Sequence, residues 1–389
     1  MSRSHRAVLS VALLMLSAGC GSSDEPGTSG TTTATSAAPS GPGGGPGGGG
    51  PAGGMGGSCT GSTATPTTAA TGAVPAAGTT KAVTAAVAKA QAFLATLSAG
   101  QRTAVTQRYT ALGTKQCTWS NFPDGLFNGR IGIKLGDLDD TQRKAAYAAV
   151  QSVLSAGGFT QVRQEIAGDE QLASQGGAPG NMGEDYYHLV FFGEPSTDEP
   201  WTLQFGGHHL AHHISIGGGA LSVSPHFSGI QPISFESGGV TVQGMKQETE
   251  DLFGLFESLT TEQRTAARTA DAYDDLVMGP GSDTGYPDPE GLSYTKLDTK
   301  QKALVKAAIR DWVGDAADAF AGPLLDLYDS QLDRTTIAYS GTIEEQTGGA
   351  YMRIDGPRVW IEWINTEAAG FHYHTVYRDK LVDYGTGVS

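Results

Sequence analysis

Nine histidines occur in the 389 residues, and seven of them fall in two short stretches. Residues 201–227 carry His208, His209, His212, His213 and His226, and the C-terminal region carries His372 and His374. Imidazole is the commonest side-chain ligand for Zn, Cu, Fe and Ni, so clustering at this density points first to a metal. In a strand, alternate side chains share a face, and a His-x-His pair stands about 7 Å apart at Cα, close enough to converge on one ion. His372 and His374 form such a pair. Read as a strand, residues 208–216 place His208, Leu210, His212, Ile214 and Ile216 on one, mostly apolar face. His209, Ala211, His213 and Ser215 lie on the other, and that polar face is the expected ligand set. Gly217-Gly218-Gly219 marks a hairpin whose return strand, 221–227, brings His226 back near residue 210. A helix would instead pair His208 with His212 and His209 with His213. The Gly and β-branched surroundings favour strand.

Carboxylates that could complete a site are Asp379, Asp383 and Glu362, with Asp379 best placed, five residues after His374 at a strand end. Arg353, Arg378 and Tyr384 either bind an anionic ligand or pair with neighbouring acids. The histidines themselves are either metal ligands or members of a satisfied polar network. The acidic loop with Asp283, Asp288 and Glu290 lacks EF-hand spacing and reads as surface. No G-x-S-x-G elbow, H-E-x-x-H helix or phosphate-binding glycine loop is present, so serine-nucleophile chemistry and nucleotide binding have no support.

The elements that must position these residues announce themselves at four points. Leu97-Ser98-Ala99-Gly100-Gln101, Leu138-Asp139-Asp140-Thr141-Gln142, Leu259-Thr260-Thr261-Glu262-Gln263 and Leu297-Asp298-Thr299-Lys300-Gln301 each read as a capping box behind an apolar staple. They predict helices starting at Ser98, Asp139, Thr260 and Asp298, and a Gly-free, Ala-rich run predicts another over 81–97. The first two boxes lie 41 residues apart and the last two 38 apart. Each pair is followed by strand-like runs: 186–192, 201–205, 208–216 and 221–227, then 335–339, 351–354, 359–364 and 371–377. The expected class is α+β, with paired helices followed by mainly antiparallel strands, in two halves (81–230 and 245–385) related by duplication or by independent use of the same capping device.

Ahead of this folded region, residues 1–20 combine Arg3 and Arg6, an apolar run of about ten residues that is too short to span a bilayer, and small residues before Cys20. Leu16-Ser17-Ala18-Gly19-Cys20 looks like a lipobox, with Ser17 where an aliphatic residue is usual. An exported protein is expected, lipid-anchored through Cys20 to the outer membrane or another extracytoplasmic membrane face. Residues 21–80 are almost entirely Gly, Pro, Ser, Thr and Ala with Asp24 and Glu25 as their only acids, too poor in apolar side chains to offset ordering entropy. As a flexible tether they would span roughly 40 Å. Residues 1–80 hold 19 of the 56 glycines, so 81–389 remain as ordinary globular sequence. Formal charge is −15, and −17 without the leader, which excludes nucleic acid as a default partner. Three cysteines exclude a disulfide scaffold. Cys59 and Cys117 either pair in an oxidising compartment or are unrelated thiols.

Several segments taken together resemble the bacterial domain-of-unknown-function 3500 family. They are Phe192-Gly193-Glu194-Pro195, Trp201, Gly207-His208-His209-Leu210, Arg353-Ile354-Asp355-Gly356-Pro357, His372-Tyr373-His374-Thr375-Val376-Tyr377-Arg378-Asp379 and Asp383-Tyr384-Gly385. The resemblance runs from about Lys81 to Gly385 and implies no particular activity. His208, His209, His372, His374, Arg378 and Asp379 match the family pattern, whereas His212, His213 and His226 depart from it. His209 with His372 and His374 therefore satisfies both the strand geometry and the resemblance.

The expectation is a lipid-anchored protein binding a divalent transition metal (Zn, Cu, Fe or Mn) through His209, His372 and His374, with Asp379 as ligand or orienter and His208 and His213 as further candidates. Three protein ligands with an open position suit metal-activated water or oxygen chemistry. The alternative is a non-catalytic surface module that binds a small polar or anionic ligand, or scavenges a metal.

Overall fold

The computed structural model describes residues 80–388, apart from 110–111, 177–179, 284, 345–347 and 367–371, together with the pair 74–75. The leader, the tether, Cys20 and Cys59 lie outside the described residues. Cys117 is disulfide-bonded.

The chain opens with β1 (Val74–Pro75), α1 (Thr80–Thr96), α2 (Ala99–Val105), β2 (Thr106–Gln107), α3 (Leu112–Cys117), β3 (Ile133–Lys134), α4 (Asp140–Gln151) and α5 (Ala156–Gln175). Strands β4 (His188–Phe192), β5 (Trp201–Gly207), β6 (Leu210–Gly217), β7 (Ala220–Ser222) and β8 (His226–Ile230) follow. A small hairpin, β9 (Ser234–Ser237) with β10 (Val240–Gln243), leads on to α6 (Lys246–Glu257), α7 (Thr261–Ala267), β11 (Leu292–Ser293), α8 (Thr299–Val313) and α9 (Asp318–Asp329). The chain then ends in β12 (Thr336–Ser340), β13 (Tyr351–Asp355), β14 (Val359–Asn365) and β15 (Tyr373–Asp379). The class is α+β, helices first and strands after.

All four capping boxes form, with Ser98, Asp139, Thr260 and Asp298 as N-caps and the Gln three residues later returning to the cap amide. Each such cap is worth about 1 kcal/mol. The glutamines also join the helices in pairs. Gln101 and Gln142 exchange side-chain amide hydrogen bonds at 3.3 and 3.2 Å, and Gln263 and Gln301 do so at 2.9 and 2.8 Å. The 41- and 38-residue spacings are thus the distances between partners in contact.

The strands make one large sheet ordered β11-β12-β13-β14-β15-β8-β6-β5-β4-β2, with β3 also on β4. Two antiparallel runs, β3-β4-β5-β6-β8 and β11-β12-β13-β14-β15, meet where β8 pairs with β15, from Tyr373 opposite Ile230 to Tyr377 opposite His226. The expected single strand over 221–227 is instead divided into β7 and β8. Pro225 falls between them and has no N–H to give a ladder. One sheet face packs on the helices in a continuous core that includes Phe93, Val150, Ile166, Phe256, Ile309 and Trp312. The opposite face carries a smaller cluster of Trp119, Phe227, Met278, Trp360, Val376 and Tyr384, where the loops containing Trp119 and Met278 lie over the sheet. That loop-covered face holds the histidine cluster. Among the described residues no helix is long and apolar enough to cross a membrane.

Candidate metal centre

His208 and His209 are the tip of the β5–β6 hairpin, between the paired residues Gly207 and Leu210, rather than part of a strand. His209 holds a left-handed backbone, φ 61°, which few non-glycine residues adopt without being fixed. Three hydrogen bonds fix it. Tyr187 Oη donates to the His208 carbonyl at 2.8 Å, Arg130 Nη2 to the Gly207 carbonyl at 2.8 Å, and the Gly229 amide to the His209 carbonyl at 2.7 Å. Strand alternation therefore does not decide where His209 points; the turn carries it across the end of β8 to the other run of strands. There β15 presents His374, with His372 just before it. Gly229 stands opposite His374, and a Cβ on it would meet Cδ2 of both His209 and His374 at 3.1 Å. A side chain at that position would close the space the rings occupy.

The ligand atoms of His209, His372 and His374 all lie within 4.8 Å of one another, a group that could hold a metal ion. His209 Nε2 and His372 Nε2 are 2.8 Å apart. Nitrogens on a tetrahedral ion at 2.0–2.1 Å would stand about 3.3 Å apart, so small ring movements suffice. His374 Nδ1 donates to Asp275 Oδ1 at 3.1 Å, while its Nε2 is buried with no hydrogen-bond partner. A ring held by a carboxylate on one nitrogen and bare on the other is the arrangement of a metal-ligating histidine. Burial and then the neighbouring imidazoles hold His209 well below the ordinary histidine range, and the same causes bring His372 to about 3. Both are thus neutral at pH 7, the form that ligates. Burial tends to raise Asp275, but its interactions with His374, the Leu276 amide and His372 together outweigh this and keep the carboxylate below its usual range. His208 stacks on His209 with ring centroids 3.7 Å apart and is tied through Nδ1 to the buried Asp169.

A family profile described as a protein of unknown function (DUF3500) matches residues 79–386. The chain belongs to the DUF3500 family. The match spans the helices, both runs of strands and every histidine discussed above. No curated protein and no solved structure matches the chain.

The remaining candidates within the DUF3500 region are placed elsewhere. Asp379 does not join the histidines. It lies at the far end of β15, receives Arg358 Nε at 3.0 Å and Tyr328 Oη at 2.7 Å, and is buried as an ion pair. Five residues of strand carry it away from His374, which sequence distance alone does not reveal. His213 turns under the loops, with Nδ1 on the Pro225 carbonyl at 2.9 Å and its ring edge-on to Trp119 and Tyr384, and burial lowers it to about 3. His212 and His226 stack on each other at 4.0 Å on the helix side of the sheet. Arg353 is paired with Glu290 and lies over Trp360. Arg378 is held by Asp283, Asp383 and Tyr384, and Tyr384 also accepts from Trp119 Nε1 at 3.0 Å. Both arginines thus pair with neighbouring acids.

Sequence reading missed Asp275, in an aspartate-rich loop 99 residues before His374 and without periodic signal. Its placement follows from Glu362, whose two carboxylate oxygens accept the amides of Val277 and Met278 at 2.8 Å each. Glu362 acts as an anchor for the loop that delivers Asp275, not as a ligand. Asp169 was missed for the same reason: it sits on α5 and meets His208 only in the folded chain.

Proposed function

We propose that this protein binds one divalent transition metal ion through the imidazoles of His209, His372 and His374, with Asp275 orienting His374 and the Asp169–His208 pair backing His209. The observation that carries the reading is the His374 ring, fixed by a carboxylate at Nδ1 and bare at a buried Nε2. All-nitrogen donors suit Zn, Cu, Fe or Ni better than Mg or Ca. When bound by three protein ligands, such an ion supplies Lewis acidity and an activated water at its open position. The chain's own contribution is to keep His209 and His372 neutral by burial and to hold the three rings in one geometry through the hairpin tip and Asp275. His372 is half-buried and Asp275 is 46% exposed at its side chain, so the approach to the cluster lies on that side.

A second reading, a non-catalytic metal-binding module, draws on the near-complete burial of His209 and His374, at 3% and 4% exposure. Exchange of a metal-bound water, read by relaxation or by azide binding to a cobalt-substituted protein, separates the two. Exchange favours the enzyme, and its absence the closed binder. The leader and lipobox support export and lipidation at Cys20, and metabolic labelling with a fatty acid, lost in Cys20→Ser, tests that part. Metal content of the purified protein by mass spectrometry tests the site itself. One equivalent in the parent and none in a folded His372→Ala/His374→Ala protein is the expected result.

A further inference from the structure

A cavity of about 1310 Å³ lies between the first half of α5, the start of α6, the end of α8 and the first half of α9, away from the cluster of His209, His372 and His374. It is built at the join of the two halves, where the Ser155 amide donates to the Asp315 carbonyl at 2.9 Å and the Ala317 amide to the Val153 carbonyl at 3.0 Å. Pockets recur at such joins between packed units. Glu248, Asp311 and Asp315 line it, with Leu154, Ala317 and Ala321 giving apolar wall. Glu248 and Asp315 are 4% and 7% exposed.

The Asp315 carboxylate is the informative group, because among the described residues its nearest charged or polar partner lies beyond hydrogen-bond reach. Its closest polar neighbour is His226 Nδ1 at 3.7 Å, and His226 is engaged through Nε2 with Ser228 Oγ at 2.9 Å. Burial lowers His226 to about 3, so the ring is neutral and is no counter-ion. Glu165, fully buried on the helix behind, adds another carboxylate to the same region, as its repulsion with Asp315 and Glu248 shows. Burial and then the charges of Glu248 and Asp311 raise Asp315, while burial, then Asp251 and Glu248, raise Asp311 to about 8, so that Asp311 is mostly protonated at pH 7 until a cation arrives. Of the nearby cations, Lys246 at the rim is paired with Glu250, and Arg310 in the lining draws Asp311 down by less than burial and the neighbouring acids raise it. In this group Asp311 Oδ2 and Glu165 Oε2 are buried with no hydrogen-bond partner, and such an atom costs free energy unless a partner arrives.

A bare metal ion does not fit. Among the described residues the group of three or more His, Cys, Asp or Glu donors that could hold an ion is His209, His372 and His374, and these carboxylates are not gathered that closely. The space is also far larger than an ion needs. We propose that this cavity is a second binding site, taking an organic cation whose ammonium or guanidinium donates to Asp315 and Glu248 while its carbon chain lies along Leu154, Ala317 and Ala321. A charged, multi-donor head is what the unbonded carboxylate lacks, and an alkyl body is what the apolar wall accommodates.

Calorimetric titration of the full chain at pH 7 and low salt with agmatine and with putrescine tests this, with butane-1,4-diol as the neutral probe. At least one amine should bind with no binding of the diol, and Asp315→Asn and Glu248→Gln should each weaken that binding tenfold or more. Asn at 315 keeps the shape and removes the charge, so its thermal midpoint should equal or exceed the parent's, and metal content at the histidine cluster should not change. No heat from either amine at millimolar concentration, equal binding by the diol, or unchanged amine binding in Asp315→Asn would overturn the proposal.

Discussion

Two hairpin tips occupy matching places in the two runs of strands and have opposite chemistry. The tip between β5 and β6 is His208-His209, and the tip between β13 and β14 ends in Arg358. Each passes its carbonyl to the neighbouring strand of its own run or to that strand's end: His209 to the Gly229 amide at 2.7 Å, Arg358 to the Lys380 amide at 2.9 Å. Behind Arg358 stands Asp379, with Tyr328 completing the carboxylate, so that tip is a closed, self-satisfied ion pair. Behind His209 stands Gly229, and the space is filled by His372 and His374, which leave a buried nitrogen of His374 without a partner. One backbone frame thus holds a charge pair in one run of strands and, in the other, a histidine cluster in which a buried nitrogen of His374 is bare. A closed pair holds the fold, whereas a buried nitrogen without a partner is the feature on which the metal proposal rests.

The largest effect that sharpens this contrast is at the closed tip. Arg358→Ala leaves Asp379 buried and unpaired and should cost about 3–5 kcal/mol in denaturant unfolding. The folded fraction should keep its metal; loss of metal with stability intact would reverse the assignment of the two tips. At the open tip, Asp275→Asn should lower metal affinity 10–100-fold by competition titration with little change in stability. An unchanged affinity would mean that Asp275 does not orient His374. Away from both tips, Asp298→Ala removes a cap of the second helix pair and should cost about 1 kcal/mol, with Ser98→Ala giving a similar loss if the two pairs are equivalent. Thermal melts compare them directly.

The smallest effect concerns pH. In the metal-free protein His372, with His213 and His226, titrates near 3 in the fold, against about 6.5 unfolded. The unfolded chain therefore binds more protons between these values, and stability is fully present above about 6.5 and lost as pH falls towards 3. His372→Ala should move the acid-unfolding midpoint of the metal-free protein down by a fraction of a pH unit, and an upward shift would contradict the neutral-imidazole reading.

Much of this was legible from local chemistry. Ser98, Asp139, Thr260 and Asp298 mark helix starts because a cap is a contact over three residues, which a sequence displays. The His-x-His pair is legible for the same reason, since strand geometry alone sets its two rings together. Helices α5 and α9 were not anticipated. The first opens with Gly157-Gly158 and the second contains Pro323, and both are held by packing against the sheet, which outweighs propensity. His209 was picked as a ligand from strand alternation, yet it reaches the cluster through a left-handed turn fixed by Tyr187, Arg130 and Gly229. Asp275 carried no signal because its position depends on Glu362, 87 residues further along the chain. Asp379 was attractive by distance along the chain and is excluded by the length of β15. Contacts within a turn of chain were readable; those made by the sheet register between β8 and β15 were not.

The measurement that bears most directly on the account is metal stoichiometry of the purified protein, untagged, by mass spectrometry, beside His372→Ala/His374→Ala and Arg358→Met. One equivalent of a transition metal in the parent and in the folded part of Arg358→Met, with none in the folded double histidine variant, is the predicted result. No metal in the parent after reconstitution with Zn, Cu, Fe and Mn in turn, or full retention in the double variant, would contradict it.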